Sequence, residues 1–146
     1  MVRIGFVTCV LLVGLRLAIG WHVSYEGLNK YDGYRFTAYK NDPQNVTSIS
    51  NNYVFDMLED KAGNFWVATA SGLDKFDRKK ETFIHFVPGG ANTVRDIFQD
   101  SKQQLWLGTV KGLYLFNAAT GAYTSYKHNE TDTTSISNDI IYHCPY

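Results

Sequence analysis

The feature that most constrains this chain is an internal repeat. Phe65-Trp66-Val67-Ala68-Thr69-Ala70-Ser71-Gly72-Leu73 recurs as Leu105-Trp106-Leu107-Gly108-Thr109-Val110-Lys111-Gly112-Leu113, forty residues further on. A weaker earlier copy keeps the phase, because Trp21 precedes Gly27-Leu28 by the same six residues that part Trp66 from Gly72 and Trp106 from Gly112. Self-similarity at such a period marks one supersecondary unit that buries its apolar face only against its neighbours.

Each unit is built of short strands. Asp60-Lys61-Ala62-Gly63 and Asp100-Ser101-Lys102-Gln103 stand before the second and third Trp and read as tight turns. After each Gly-Leu pair come Asn29-Lys30-Tyr31-Asp32, Asp74-Lys75-Phe76-Asp77 and Tyr114-Leu115-Phe116-Asn117, then a polar turn, then Phe36-Thr37-Ala38-Tyr39, Phe83-Ile84-His85-Phe86 and Tyr123-Thr124-Ser125-Tyr126. These segments alternate or nearly alternate, as strands do. In the best copy the strands are expected over 53–59, 65–69, 73–77 and 82–86, which is one blade of a propeller. No stretch after residue 20 reads as a helix, and an aromatic content of 15% suits pleated sheets. A β-sandwich would not demand the same Trp and Gly at a fixed period.

The expected fold is therefore all-β, an incomplete β-propeller of about three four-stranded blades. The repeats divide at about 21–69, 70–109 and 110–146. A propeller needs about four to eight blades, so residues 21–146 do not close a ring alone. Open blades expose strand edges, and the chain reads as a piece of a larger propeller or as one that completes itself by self-association. Near the end, Pro145 aligns with Leu58 inside a strand, where a missing N–H breaks the ladder.

The first twenty residues differ from the rest. Met1-Val2-Arg3 precedes an apolar run from Ile4 to Leu15, and Ala18-Ile19-Gly20 supplies small residues for cleavage, so 1–20 reads as a secretory signal peptide. The competing reading is a distorted piece of an upstream repeat. Cys9 and Cys144 give neither a disulfide framework nor a metal spacing, and Cys9 lacks a lipidation context. Lys plus Arg and Asp plus Glu stand at 14 each, so no net field draws a polyanion, and nucleic acid is not an expected partner.

The residues that recur are read as structural: Trp21, Gly27, Leu28, Asp60, Gly63, Trp66, Gly72, Leu73, Asp100, Trp106, Gly112 and Leu113. A Trp at one place in every blade packs between blades rather than offering a platform for sugar. Asp60 and Asp100 open turns, where Asp accepts backbone N–H bonds, rather than holding calcium. Gly72 and Gly112 sit where a hairpin wants a positive φ; no helix follows, so they are not a phosphate loop. His22, His85, His128 and His143 have no repeated partner, so no catalytic residue, metal site or cofactor is expected. Asn45-Val46-Thr47 and Asn129-Glu130-Thr131 fit the glycosylation acceptor by chance.

What remains as a candidate site is a pair of long polar connections, 40–51 and 127–138. Thr47-Ser48-Ile49-Ser50-Asn51 of the first reappears unchanged as Thr134-Ser135-Ile136-Ser137-Asn138 in the second. The middle copy shortens the connection to Val87-Pro88-Gly89-Gly90-Ala91-Asn92, which marks it as a surface loop.

The run from Ser48-Ile49-Ser50-Asn51 through Glu59-Asp60-Lys61-Ala62-Gly63-Asn64-Phe65-Trp66-Val67-Ala68-Thr69 to Gly72-Leu73-Asp74-Lys75-Phe76-Asp77 resembles the two-component regulator propeller repeat, and the resemblance covers 21–146. It implies the sensor propeller of a bacterial hybrid histidine kinase, lying outside the inner membrane ahead of a transmembrane helix and responsive to glycans. The function so implied is non-catalytic sensing of a small ligand or oligosaccharide in the periplasm, within a parent anchored in the inner membrane. Two departures stand out: Val23 replaces the small residue two places after Trp, and Gln103 replaces the turn glycine. Two rival readings are a propeller lyase, whose acid and base would lie on other blades, and a scaffold that assembles blades between chains.

Overall fold

In a computed structural model, the structure describes residues 20–24, 26–90 and 92–141. Expectations for residues 1–19, including the signal peptide and Cys9, and for His143, Cys144 and Pro145 lie outside the described residues.

Among the described residues, eleven strands form three antiparallel sheets. The first sheet holds β1 (Gly20–Ser24), β2 (Gly27–Tyr31) and β3 (Phe36–Tyr39) in that order. The second holds β4 (Val54–Glu59), β5 (Phe65–Thr69), β6 (Gly72–Asp77) and β7 (Thr82–Phe86). The third holds β8 (Val94–Gln99), β9 (Leu105–Thr109), β10 (Gly112–Phe116) and β11 (Tyr123–Tyr126). Each sheet is an up-and-down meander, which short two-residue hairpins such as Ala70-Ser71 allow. A 3-10 turn, Pro88–Gly90, interrupts the β structure.

The sheets differ from the division at 69/70 and 109/110 expected from the repeat. Those boundaries fall in the β5–β6 and β9–β10 hairpins, so the second and third sheets each join the end of one repeat unit to the start of the next, the second over the span expected for one blade, while the first sheet lies within the first unit. Periodicity in sequence fixes the length of a unit but not its phase; hydrogen bonding sets the phase. The described first sheet contains three strands and no counterpart of β4 and β8.

The core lies between sheets rather than within them. Strand β5 is buried along its whole length, and its alternation sends Phe65 and Val67 to one cluster and Trp66 and Ala68 to another. The first cluster joins sheets one and two through Leu28, Ile49, Val54, Met57, Phe76 and Phe83, with Trp21 and Tyr39 against it. The second joins sheets two and three through Trp66, Leu73, Val94, Ile97, Leu107 and Phe116. A sheet sandwiched on both faces is what the apolar run Phe65-Trp66-Val67-Ala68 requires.

Strands β4 and β8 lie side by side at one edge of this stack, and both carry a bulge, between Val54 and Asp56 and between Val94 and Asp96. Polar bonds also cross from sheet to sheet. Ile97 N donates to Asp56 Oδ2 at 2.9 Å, Lys61 N to Gln99 Oε1 at 2.9 Å and Thr93 Oγ1 to Ala70 O at 3.2 Å.

Candidate functional site

The recurring Trp and Asp act together. Trp66 is fully buried, and its Nε1 donates to Asp60 Oδ2 at 2.8 Å, while Asp60 Oδ1 accepts from Ala62 N and Asn64 N. Asp100 repeats the pattern, with Trp106 Nε1 at 2.9 Å from Oδ2 and Lys102 N and Gln104 N on Oδ1. Burial alone would raise the Asp60 carboxyl, but bonds from Trp66, Asn64 and the turn amides outweigh it and hold it below its usual value. For Asp100 the bond from Trp106 has the same effect. Both carboxylates are thus engaged within their own turns, as an Asp that opens a turn is. The Asp–Trp bond across six residues was not legible in the sequence, although the constant Asp-to-Trp spacing was its signal.

Trp21 stacks on Phe65 with ring centroids 4.5 Å apart, and Trp66 meets Phe116 edge-on at 5.7 Å. Each of these rings is filled by the next sheet, which leaves no free aromatic platform on them. Gly72 turns the β5–β6 hairpin at φ 139°, and a Cβ there would sit 2.5 Å from Phe86 O. Gly27 and Gly112 hold the same place, while Leu28 and Leu73 are fully buried and Leu113 half-buried. Gly63 and Gln103 both occupy left-handed backbone, at φ 82° and 64°.

The first long connection is largely committed to packing. Ile49 is 1% exposed between the first two sheets, Thr47 O accepts from Phe83 N at 2.9 Å, and Ser50 N donates to Asp74 Oδ2 at 2.7 Å. Ser50 Oγ meets Thr69 Oγ1 at 2.8 Å, and Asn51 Nδ2 donates to Ser71 Oγ. It works as a clasp over the second sheet. The second connection has the same internal bonds: Asn41 N to Asn52 Oδ1 becomes His128 N to Asp139 Oδ1, and the bond to Ile49 O becomes one to Ile136 O. Ile136 is only half-buried and Ser137 and Asn138 are exposed. The short connection before the third sheet is explained by Tyr114, which stands where Asp74 stands and is 1% exposed, with Pro88 buried near it.

Two further pairs were not legible. His85 Nδ1 lies 2.8 Å from Asp74 Oδ1, and its Nε2 lies 3.0 Å from Val46 O. The partner of His85 is not one that the repeat carries: the fold brings the ring to a carboxylate eleven residues away on the adjacent strand. Both ring nitrogens are engaged, so the pair holds the clasp rather than activating a nucleophile. Burial pushes the Asp74 carboxyl up, against the opposing bonds from Ser50 and His85. On the inner strands, burial pushes the Asp56 carboxyl up to about 6, against the amides of Ile97 and Met57, with the Asp96 carboxyl alongside adding to the rise. Among the described residues, no group of three or more His, Cys, Asp and Glu is placed to hold a metal ion.

A cleft of about 530 Å³ opens between the second and third sheets. Its rim is amide-rich, with Asn64, Gln99, Gln103, Gln104 and Asn117, and Tyr123 stands at its edge about half exposed. Asp60 reaches the cleft with its carboxyl already saturated. The cleft is thus lined by neutral amides, several of them bonded within the fold, with the Tyr123 ring at its edge.

Three stacked, antiparallel meanders with inner strands side by side define an incomplete β-propeller. Residues 48–71 and 88–111 match the family model of the two component regulator propeller. No curated protein matches the chain. Among solved structures it is similar to one described as the extracellular domain of hybrid two component system BT3049 from B. thetaiotaomicron, with 20% identity and a TM-score of 0.66 over 75% of this chain. A second, described as the extracellular domain of hybrid two component system BT4673 from the same organism, shows 17% identity and a TM-score of 0.61 over 88% of this chain. The chain spans 17% and 23% of those two chains. Among the described residues, no helix is long and apolar enough to cross a membrane.

Proposed function

We propose that this chain is part of a non-catalytic, extracytoplasmic sensor propeller whose parent passes ligand binding to a histidine kinase anchored in the inner membrane. The observation that carries this reading is the repeat itself, matched over residues 48–71 and 88–111, on blades whose recurring polar residues are all spent on turns and interblade bonds. The similar extracellular domains of hybrid two component systems support the location. The cleft between sheets two and three is the candidate ligand site: its amides and the Tyr123 ring suit a neutral, hydroxyl-rich ligand such as an oligosaccharide. Calorimetric titration of the full chain with a panel of neutral oligosaccharides tests this. Binding that weakens about tenfold in both Tyr123→Ala and Gln104→Ala supports the reading, at roughly 1.4 kcal/mol per tenfold. Binding unchanged in both variants removes the cleft from it, and hydrolysis or elimination of the sugar would overturn the non-catalytic assignment.

A further inference from the structure

His85 and Asp74 form a pair that the repeat itself does not require. At the same register position the first sheet has Asn29 opposite Ala38, and the third has Tyr114 opposite Ser125. Asp74 is fully buried, whereas the His85 side chain is 32% exposed and can exchange protons with water.

Three bonds meet on the pair, and together they fix where its protons stand. His85 Nε2 lies 3.0 Å from Val46 O; a carbonyl only accepts, so Nε2 carries a hydrogen. Asp74 Oδ2 accepts from Ser50 N at 2.7 Å, so it carries none. His85 Nδ1 lies 2.8 Å from Asp74 Oδ1, where two facing lone pairs would repel, so a proton lies between them. A neutral imidazole beside an ionised carboxylate has a single ring hydrogen, which serves Val46 O or Asp74 Oδ1 but not both. The docked clasp therefore holds one proton more than that combination, shared between ring and carboxyl. Burial pushes the Asp74 carboxyl up and favours keeping it.

Neighbouring charged groups are bonded away from the pair. On the first sheet, the Tyr39 hydroxyl donates to Glu81 Oε1 at 3.1 Å, and Lys30 Nζ lies 3.6 Å from the same oxygen. On the clasp, Lys40 pairs with Glu26 at 2.6 Å, and Asp42 Oδ1 accepts from Gln44 N. On the second sheet, alternation sends Lys75 to the opposite face, over the Trp66 ring, and Asp77 Oδ1 accepts from Lys79 N and Lys80 N.

We propose that connection 40–51 is a proton-operated latch on the seam between the first and second sheets, closed while His85 and Asp74 share a proton and open once that proton leaves to water. In the open form water satisfies Nε2, and the neutral ring donates to Asp74 through Nδ1 without the extra proton. Opening frees Val46 and Ser50 and uncovers Ile49 and Phe83, which are both buried when the latch is closed. The closed form binds more protons, so closure is favoured at low pH and weakens as pH rises, by at most about tenfold per pH unit for one proton.

Amide hydrogen exchange of the full chain, followed by NMR between about pH 5 and 8 and corrected for the intrinsic rate, tests this. Ser50 N and Phe83 N report the latch, because their acceptors, Asp74 Oδ2 and Thr47 O, lie across it. Their protection should fall about tenfold or more over the range, while amides of β9 in the third sheet keep theirs. Asp74→Asn offers an acceptor for Ser50 N and an amide donor for Nδ1, so a neutral ring satisfies all three bonds. Its latch should stay protected with a flat pH profile. His85→Gln removes the titrating ring and should flatten the profile too; it carries the test if Asp74→Asn does not fold. A flat profile in the parent overturns the proposal, as does a slope like the parent's in either variant. A fall shared equally by the β9 amides overturns it as well, because the opening would then be global.

Discussion

At the scale of residues, the repeat is held by bonds that end on a few side chains. Asp60 accepts from Trp66, from Asn64 and from two turn amides, and this ties the β4–β5 turn to the plane of the indole, which in turn packs against the third sheet. The turn also explains why position 63 is glycine. Its φ of 82° lies in the left-handed region, and a Cβ there would meet nothing within 4 Å, so the cost of a side chain is conformational alone. Gln103 bears that cost at φ 64°. Reciprocal substitutions isolate it: Gln103→Gly should stabilise the chain by about 0.5–1 kcal/mol, and Gly63→Ala should destabilise it by about 1 kcal/mol. Urea denaturation of both variants against the parent checks the sign, which must be opposite in the two.

At the scale of elements, strands and turns were legible and the role of the connections was not. The expected strands over 65–69, 73–77 and 82–86 differ from β5, β6 and β7 by at most one residue, because alternation, a Trp and punctuating glycines all agree there. The connections were read as loops open for binding, since a polar sequence of Thr, Ser and Asn says nothing about which sheet accepts its bonds. Ile49 was the one apolar residue in the first pentapeptide and the available sign that the segment packs. The partners of Ser50, at Asp74 and Thr69, are 24 and 19 residues distant, and no local pattern reports them. Two chemically identical positions now differ only by what lies above them. Ile49→Ala should cost about 2–4 kcal/mol through an interblade cavity, whereas Ile136→Ala at dilute concentration should cost less than about 0.5 kcal/mol. Thermal unfolding of the pair at equal, low concentration separates a docked clasp from an open one.

At the scale of the molecule, the sheets are joined by two interblade cores and by the inner strands β4 and β8, where Asp56 and Asp96 occupy matching bulge positions. Asp56 spans the boundary by accepting from Ile97 N, so its ionisation acts on the joint between blades rather than on one sheet. Burial lifts its carboxyl from 3.8 to about 6 in the fold. The folded state therefore holds this proton more tightly than the unfolded chain does. The resulting stabilisation is fully present below about pH 4 and is lost as pH rises towards 6, a change of about 2–3 kcal/mol. Asp74 shifts in the same direction and adds to the slope, while Asp60, Asp100 and Asp132 are held low and act below this window. Asp56→Asn leaves an acceptor for Ile97 N and removes the titration. Its thermal midpoint should fall less steeply than that of the parent between pH 4 and 6.5, and exceed it at neutral pH. Parallel profiles for the two proteins would mean that water reaches the inner strands and that the joint between blades carries no buried charge.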